Sequence, residues 1–177
     1  MSDLLESKWY AVYCKSRHEA RVWERLRKKG FEAFLADYEA RVQWGKRWRK
    51  TRRNLLPGYV LVRTVLTPRT YLQVLQTESV VKFVDRPWPN VPSIPEEQVN
   101  SLRLLLNTGH PFVQVPHFEG GTEVEVIAGA LRGLCGRVVQ TSKNKSRVVV
   151  SIDLLKRSVE ITIDAAFLRC KTKSLAA

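Results

Sequence analysis

The sequence changes in character near residue 110, and this change limits the chain to two small folding units. Before it, aromatic and β-branched segments alternate with segments of helical period. After it, short apolar segments are separated by glycines. His110 to His117 contains two prolines and no clear period, as linkers do. A chain of 177 residues can form two small domains. We therefore predict one domain over residues 1–109, a linker over 110–117 and a second domain over 118–177.

The N-terminal part contains helix and strand signals in alternation. Lys8 to Cys14 is aromatic and β-branched, which predicts a strand. Ser16 followed by Glu19 has the spacing of a capping box and predicts the start of a helix. Thr67 and Pro68 predict the start of another helix, with proline at its first position. This order predicts an α+β fold, namely an α/β sandwich in which helices flank an antiparallel sheet.

The C-terminal part contains only strand signals and turn residues. About 60 residues remain after the linker, which suits a small β-barrel. The predicted strands are Thr122 to Ile127, Arg137 to Gln140, Arg147 to Ile152 and Ser158 to Ile163.

The charge of the chain is strongly basic and concentrated in one region. The formal net charge is +13, and residues 15–53 hold fourteen basic residues against five acidic ones. A clustered excess of this kind favours a polyanionic partner, and nucleic acid is the commonest. A basic surface that serves only solubility remains the alternative.

The basic residues fall into two candidate nucleic-acid-binding groups. Around the first helix, the arginines recur every fourth residue and would share one face, while a histidine in the same turn could stack on a base. The second group follows a predicted hairpin tip at Gly45, where Trp44 and Trp48 are interleaved with arginines. A solvated helix face and a disordered loop are the alternatives. The candidates are Lys15, Arg17, His18, Arg21, Arg25, Lys46, Arg47 and Arg49.

The cysteines and acidic residues indicate no metal, disulfide or catalytic site. Cys14, Cys135 and Cys170 are dispersed and odd in number, which fits a reducing cytoplasm. The acidic residues are scattered, and His110 and His117 have no third candidate ligand nearby. We therefore predict a protein that is not an enzyme and that needs no metal or cofactor.

No segment indicates a membrane location. The first eight residues are polar and acidic, unlike a signal peptide. No apolar run approaches the roughly 18 residues of a membrane span. We expect a cytoplasmic protein and, by default, a monomer.

Four segments together resemble one protein family. These are KWYAVYCKSRHEARVWERL from Lys8, LPGYVLV from Leu56, VVKFV from Val80 and VEVIAGALRGLCGRVV from Val124. In this order they resemble the NusG family of transcription elongation factors, with the last segment similar to a KOW motif. The resemblance implies an SH3-like barrel for the second domain and a role in pausing, termination or antitermination. A KOW-containing RNA- or ribosome-binding protein is the alternative.

The resemblance also implies partners and site residues. The N-terminal domain is expected to bind the clamp region of bacterial RNA polymerase, and its basic residues the non-template strand or upstream DNA. The KOW domain is expected to bind a ribosomal protein or a termination factor. The implied polymerase-binding residues are Tyr13, Leu55, Leu56, Tyr59 and Phe83, with Arg69 and Thr70 at a second polymerase element, and the implied KOW partner residues are Ile152, Leu154 and Leu155.

The range of target genes stays open. Tyr13, Cys14 and Lys15 resemble the specialised RfaH-like branch of the family, and the hairpin is unusually basic. A factor specific for particular operons and a general elongation factor are both compatible with these residues.

Overall fold

The computed structural model describes residues 6–171 and divides the chain into two compact units, residues 1–95 and 96–177. The first unit contains two helices, α1 (Glu19–Lys28) and α2 (Pro68–Leu75). Its strands are β1 (Lys8–Cys14), β2 (Glu32–Phe34), β3 (Asp37–Trp44), β4 (Arg47–Asn54), β5 (Tyr59–Thr64) and β6 (Val80–Phe83).

The second unit contains one α-helix and one larger sheet. The helix is α3 (Glu96–Thr108). The strands are β7 (Val113–Val115), β8 (Thr122–Val126), β9 (Cys135–Ser142), β10 (Lys145–Ile152), β11 (Arg157–Asp164) and β12 (Leu168–Cys170). The mixed helix and strand content confirms the predicted α+β class.

The core of the first unit lies between its sheet and its two helices. The sheet has the order β2-β5-β1-β6 with antiparallel neighbours. Because side chains alternate along a strand, one side of β1 points toward the helices and meets their apolar stripes. The buried residues of this cluster are Tyr10, Val12, Cys14, Val22, Leu26, Val60, Val62, Val74 and Phe83. The predicted sandwich of sheet and helices is present in this unit.

The helix starts confirm one sequence prediction and correct another. At α2, the Thr67 side chain accepts a hydrogen bond from Thr70 N, and Pro68 occupies the first turn, as predicted. The capping box predicted at Ser16 is wrong, since α1 begins at Glu19 without a side-chain cap. The Glu19 carboxylate instead accepts a hydrogen bond of 2.7 Å from Gly58 N. Glu19 therefore makes a tertiary contact with Gly58 in place of the predicted capping contact with Ser16.

The β3–β4 hairpin forms a separate two-stranded sheet. All eight residues of each strand pair in antiparallel register, from Asp37 opposite Asn54 to Trp44 opposite Arg47. Gly45 forms the turn with a φ of +61°, a conformation that suits glycine. The predicted hairpin tip is confirmed, and the alternative of a disordered loop is not what the structure has.

The second unit is a six-stranded sheet against which α3 packs. The strand order is β12-β8-β9-β10-β11-β7. The Ser101 hydroxyl of α3 accepts a hydrogen bond of 2.8 Å from Cys135 N at the start of β9. Among the described strands, β12 and β7 are the edges of the sheet, so the predicted closed barrel is not confirmed.

The division of the chain differs from the expected boundaries at residues 109 and 118. Helix α3 groups with the second sheet because Val99, Leu102 and Leu105 are buried in that unit. The segment expected to be a linker contains β7, which pairs with β11. The spacing of apolar residues along a helix does not show which sheet its apolar side covers.

Candidate functional site

Two tyrosines form an exposed aromatic pair on the face of the first sheet that is turned away from α1 and α2. Tyr13 of β1 lies directly opposite Tyr59 of β5, and their ring centroids are 5.6 Å apart. Tyr13 is 39% exposed, and Tyr59 is half-buried. A Cβ at Gly58 would lie 3.1 Å from the Tyr13 ring, and Gly58 has a φ of +85°. The Pro-Gly-Tyr turn thus requires glycine in order to pack against Tyr13.

The other apolar residues implied for polymerase binding are buried. Leu55, Leu56 and Phe83 are 5%, 1% and 3% exposed. The Phe83 ring stacks on Tyr71 of α2 with a centroid distance of 4.9 Å. In this conformation the three side chains stabilise the first unit and do not line its surface.

Arg69 and Thr70 lie in the first turn of α2 and differ in availability. Arg69 is exposed. The Thr70 hydroxyl accepts a hydrogen bond from Thr67 N and donates one to the Val65 carbonyl, both at 2.8 Å. Thr70 therefore holds the helix start, and of the two residues Arg69 is the exposed one.

The basic residues around α1 do not form the continuous face that their spacing predicts. Arg17 precedes the helix in a turn with a φ of +61°. Arg25 forms an ion pair of 2.6 Å with Glu78 and donates a hydrogen bond to the Glu78 carbonyl. His18 Nδ1 lies 3.0 Å from the Ser16 carbonyl oxygen.

The remaining basic residues of this region are exposed. Lys15, Arg17 and Arg21 point into solvent at the start of α1. Lys46, Arg47 and Arg49 are exposed at the tip of the hairpin. The structure thus leaves two exposed basic surfaces on the first unit, one at the start of α1 and one on the hairpin.

The candidate partner loop of the second unit follows β10 and is mostly buried. Ile152 and Leu155 are 1% and 8% exposed, while Leu154 is half-buried. Gln98 of α3 is fixed to Asp153 by two hydrogen bonds, one to the carboxylate at 2.8 Å and one from the backbone N–H at 3.0 Å. Helix α3 therefore holds this loop within the second unit.

Asp153 is the centre of a polar network in this loop. Burial raises the pKa of its carboxyl group, but hydrogen bonds from Ser151, Arg137 and Gln98 outweigh burial and lower the pKa overall. The Ser151 hydroxyl donates a bond of 2.7 Å, and the Arg137 guanidinium lies 3.2 Å away. These partners favour the charged carboxylate.

The part of the chain that the structure describes contains no metal-ligand cluster and no disulfide. Within residues 6–171, no group of three or more histidine, cysteine or acidic side chains could hold a metal ion. The three cysteines are free, and burial raises the pKa of Cys14 to about 12. No helix of the described residues is long and apolar enough to cross a membrane.

Sequence reasoning missed several residues that position these surfaces. Glu19 holds the Pro-Gly-Tyr turn, Glu78 neutralises Arg25, and Gln98 holds the Asp153 loop. These partners are 39, 53 and 55 residues apart along the chain, and no local pattern signals such pairings.

The amino-acid sequence matches a known family over most of the first unit. A family model described as "Transcription termination factor nusG" matches residues 7–103, which is more than half of the chain. The chain belongs to the NusG family. The NusG match covers the tyrosine pair, both basic surfaces and most of α3.

Curated NusG relatives extend the similarity to nearly the whole chain. The protein from Vibrio cholerae, named transcription termination/antitermination protein NusG, is 27% identical and covers 93% of this chain and 96% of its own length. The Escherichia coli K12 protein of the same name is 28% identical with the same coverage. The second unit is therefore part of the shared NusG architecture.

Solved structures show a weaker similarity to this chain. The NusG of Thermotoga maritima, from a structure titled "Domain interaction in Thermotoga maritima NusG", is 21% identical and covers 93% of this chain and 97% of its own, with a TM-score of 0.46. A structure of the MjSpt4:Spt5 complex is 18% identical with a TM-score of 0.31. Both scores are low, so membership of the NusG family rests on the sequence match.

Proposed function

We propose that this protein is a transcription elongation factor that binds RNA polymerase and alters pausing, termination or antitermination. The observation that supports this role most directly is the similarity to proteins named transcription termination/antitermination protein NusG over 93% of the chain. The role needs binding surfaces and no enzymatic activity of its own. We propose that it acts in the cytoplasm as a monomer.

The Tyr13–Tyr59 pair is the proposed polymerase-binding surface. It is aromatic and accessible, and Glu19 and Gly58 hold it in place. Aromatic residues are enriched at the energetic centres of interfaces. Burial of one such side chain is worth about 1.5–3 kcal/mol. The proposed partner element is the clamp region of the polymerase, with Arg69 of α2 at a second contact.

The two exposed basic surfaces are proposed to contact DNA near the polymerase. Lys15, Arg17 and Arg21 lie on the same unit as the tyrosine pair. Non-template or upstream DNA would lie close to a factor bound at the clamp. Arg25 has a structural role because of its ion pair with Glu78.

The second unit is proposed to act as a KOW domain that binds a ribosomal protein or a termination factor. The half-buried Leu154 is the accessible part of the loop, whereas Ile152 and Leu155 are in the core. Either partner would have to bind Leu154 as it stands or displace α3 from Asp153. The SH3-like barrel expected for this unit remains part of this proposal.

The proposed mechanism is allosteric and steric. A first unit bound across the DNA cleft would oppose opening of the clamp, and pauses that depend on clamp opening would become shorter. The second unit could add an opposite effect on termination through its own partner.

An in vitro transcription assay tests this function. Purified full-length protein is added at saturating concentration to elongation complexes of bacterial RNA polymerase, and pause lifetimes and termination are measured. The proposal predicts a change in at least one of them, and the change should be weaker with Tyr13→Ala. No effect on either, together with binding to ribosomes, would favour the KOW-containing ribosome-binding protein instead.

A further inference from the structure

The two faces of the β3–β4 hairpin differ in charge. Paired residues of a hairpin share a face, and successive residues alternate between faces. The register places one set with Trp44 and the other with Trp48. The Trp44 face consists of Tyr38, Ala40, Val42, Trp44, Arg47, Arg49, Thr51 and Arg53, and the Trp48 face of Asp37, Glu39, Arg41, Gln43, Trp48, Lys50, Arg52 and Asn54.

Two side-chain contacts agree with this assignment. The Arg49 guanidinium carbon lies 5.6 Å from the centroid of the Trp44 ring, so these residues share a face. Lys50 Nζ lies 3.1 Å from a Glu39 carboxylate oxygen on the other face. The Trp44 face therefore has three arginines and no acidic residue, while on the Trp48 face two carboxylates offset two of the three basic residues.

The Trp44 ring is exposed in a way that core packing does not explain. Trp44 is 75% exposed, and it is the last residue of β3, next to the turn. Basic residues alone would be explained by protection of two edge strands against aggregation. A tryptophan exposed at the tip works against such protection. The tryptophan, together with the arginines on its face, fits a binding surface.

We propose that the Trp44 face of the hairpin binds single-stranded DNA, with one unpaired base stacked on Trp44 and the phosphates paired with Arg47 and Arg49. Stacking on an aromatic ring requires a base that is not in a duplex. The arginines supply phosphate contacts on the same face. The choice of DNA as the ligand rests on the proposed function, since a transcription bubble exposes an unpaired DNA strand.

A binding assay with the full-length protein tests this inference. The probe is a fluorescein-labelled thymidine oligonucleotide of about twelve residues, within the site sizes of single-strand-binding surfaces. Fluorescence anisotropy gives the Kd at several salt concentrations. A duplex and a uridine RNA oligonucleotide of the same length are measured in parallel.

Trp44→Ala should weaken binding of the thymidine oligonucleotide by about 5- to 150-fold, which is the range for loss of one stacked base. Trp44→Phe should restore most of the affinity. Trp48→Ala is the matched control, since this residue is 67% exposed at the same tip but on the other face. It should change the Kd by less than about twofold, an ordinary effect of a surface substitution.

The arginines have their own matched comparison. The Arg47→Gln, Arg49→Gln pair should lower the slope of log affinity against log salt by roughly 0.7 for each lost phosphate contact. The Lys50→Gln, Arg52→Gln pair removes the same charge from the other face and should change the slope less. Circular dichroism checks that the hairpin variants stay folded.

Three results would overturn the inference. They are equal losses from Trp44→Ala and Trp48→Ala, Trp44-dependent duplex binding as tight as single-strand binding, and absence of oligonucleotide binding by the wild type. Tighter, Trp44-dependent binding of RNA would overturn the assignment to DNA. Capture of core RNA polymerase by the wild type is measured alongside. If the protein captures the polymerase but does not bind the oligonucleotide, only the hairpin inference fails. If it binds the oligonucleotide but does not capture the polymerase, only the polymerase role fails.

Discussion

At the scale of single residues, burial decides which candidate side chains are available to a partner. Leu56 is one of the polymerase-binding residues that the family resemblance implies, but it is 1% exposed, whereas Tyr13 of β1 is 39% exposed. Leu56→Ala should remove core packing and cost about 2–5 kcal/mol of stability. Loss of binding by that variant would not distinguish an interface from a folding defect, so Tyr13 is the informative position.

The three cysteines should react at different rates with a thiol reagent in the native protein. Cys170 is exposed, Cys135 is half-buried and its pKa is raised by burial, and Cys14 is buried with a pKa of about 12. Because the thiolate is the reactive form, we expect labelling at neutral pH in the order Cys170, Cys135, Cys14. Mass spectrometry after timed labelling measures this order. Labelling of Cys14 as rapid as that of Cys170 would contradict the described packing.

Helix α2 should depend on its cap, whereas α1 should not depend on Ser16. Thr67→Ala removes the hydroxyl that accepts from Thr70 N and should lower the free energy of unfolding by about 1 kcal/mol. Ser16→Ala is the matched control and should cost much less, because α1 has no side-chain cap. Urea unfolding followed by tryptophan fluorescence reports on the first unit, which contains all five tryptophans. Equal costs for the two variants would contradict the cap assignment.

The Asp153 loop should make the stability of the second unit depend on pH in the acidic range. The pKa of Asp153 is lowered in the folded protein. Its carboxylate therefore stabilises the fold above the unfolded pKa of about 3.9. This stabilisation is lost as the pH falls through the lower folded value. Hydrogen exchange of β10 amides should show a steeper loss of protection below about pH 4 in the wild type than in Asp153→Asn. Identical pH profiles would mean that the network contributes no net stability.

At the scale of elements, the sequence predicted those features that local chemistry determines. Thr67 with Pro68 started α2, and Gly45 marked the hairpin turn. The Trp44 face of the hairpin was also predictable, because side chains alternate between the two faces of a strand and residues 38–53 can be assigned to faces from the sequence. Strand boundaries shifted by a few residues where pairing continued beyond the apolar segment, as at Cys135–Ser142.

Features set by distant contacts were not predictable in this way. Ser16 does not cap α1, because Arg17 has a φ of +61° and the helix begins only at Glu19, whose carboxylate holds Gly58, 39 residues away. Residues 96–108 were expected in the N-terminal domain, but as helix α3 they pack in the second unit, where Gln98 and Ser101 bond to loop and β-strand atoms. Arg25 is not part of an unpaired basic face, because it forms an ion pair with Glu78. Each of these outcomes depends on which elements meet, and periodicity contains no such information.

At the scale of the whole molecule, the exposed basic residues should make DNA binding depend on salt. Arg17→Gln combined with Arg21→Gln should reduce the slope of log affinity against log salt by roughly 0.9 for each lost contact with duplex phosphates. Arg25→Gln is the comparison at the same helix, and it should leave the slope unchanged because Glu78 already neutralises Arg25. A slope unaffected by the double variant would assign Arg17 and Arg21 to solvation.

The central claim is that the tyrosine surface binds RNA polymerase, and a capture experiment with bacterial core polymerase tests it most directly. Full-length wild type, Tyr13→Ala and Leu72→Ala are immobilised in parallel. Leu72 is also exposed and apolar, but it lies on α2, against the other face of the sheet. We predict capture of the polymerase by the wild type and by Leu72→Ala. Tyr13→Ala should bind the polymerase more weakly, by a factor of about 10 or more. Equal capture by all three variants, or none by the wild type, would contradict the proposed surface or the polymerase role itself.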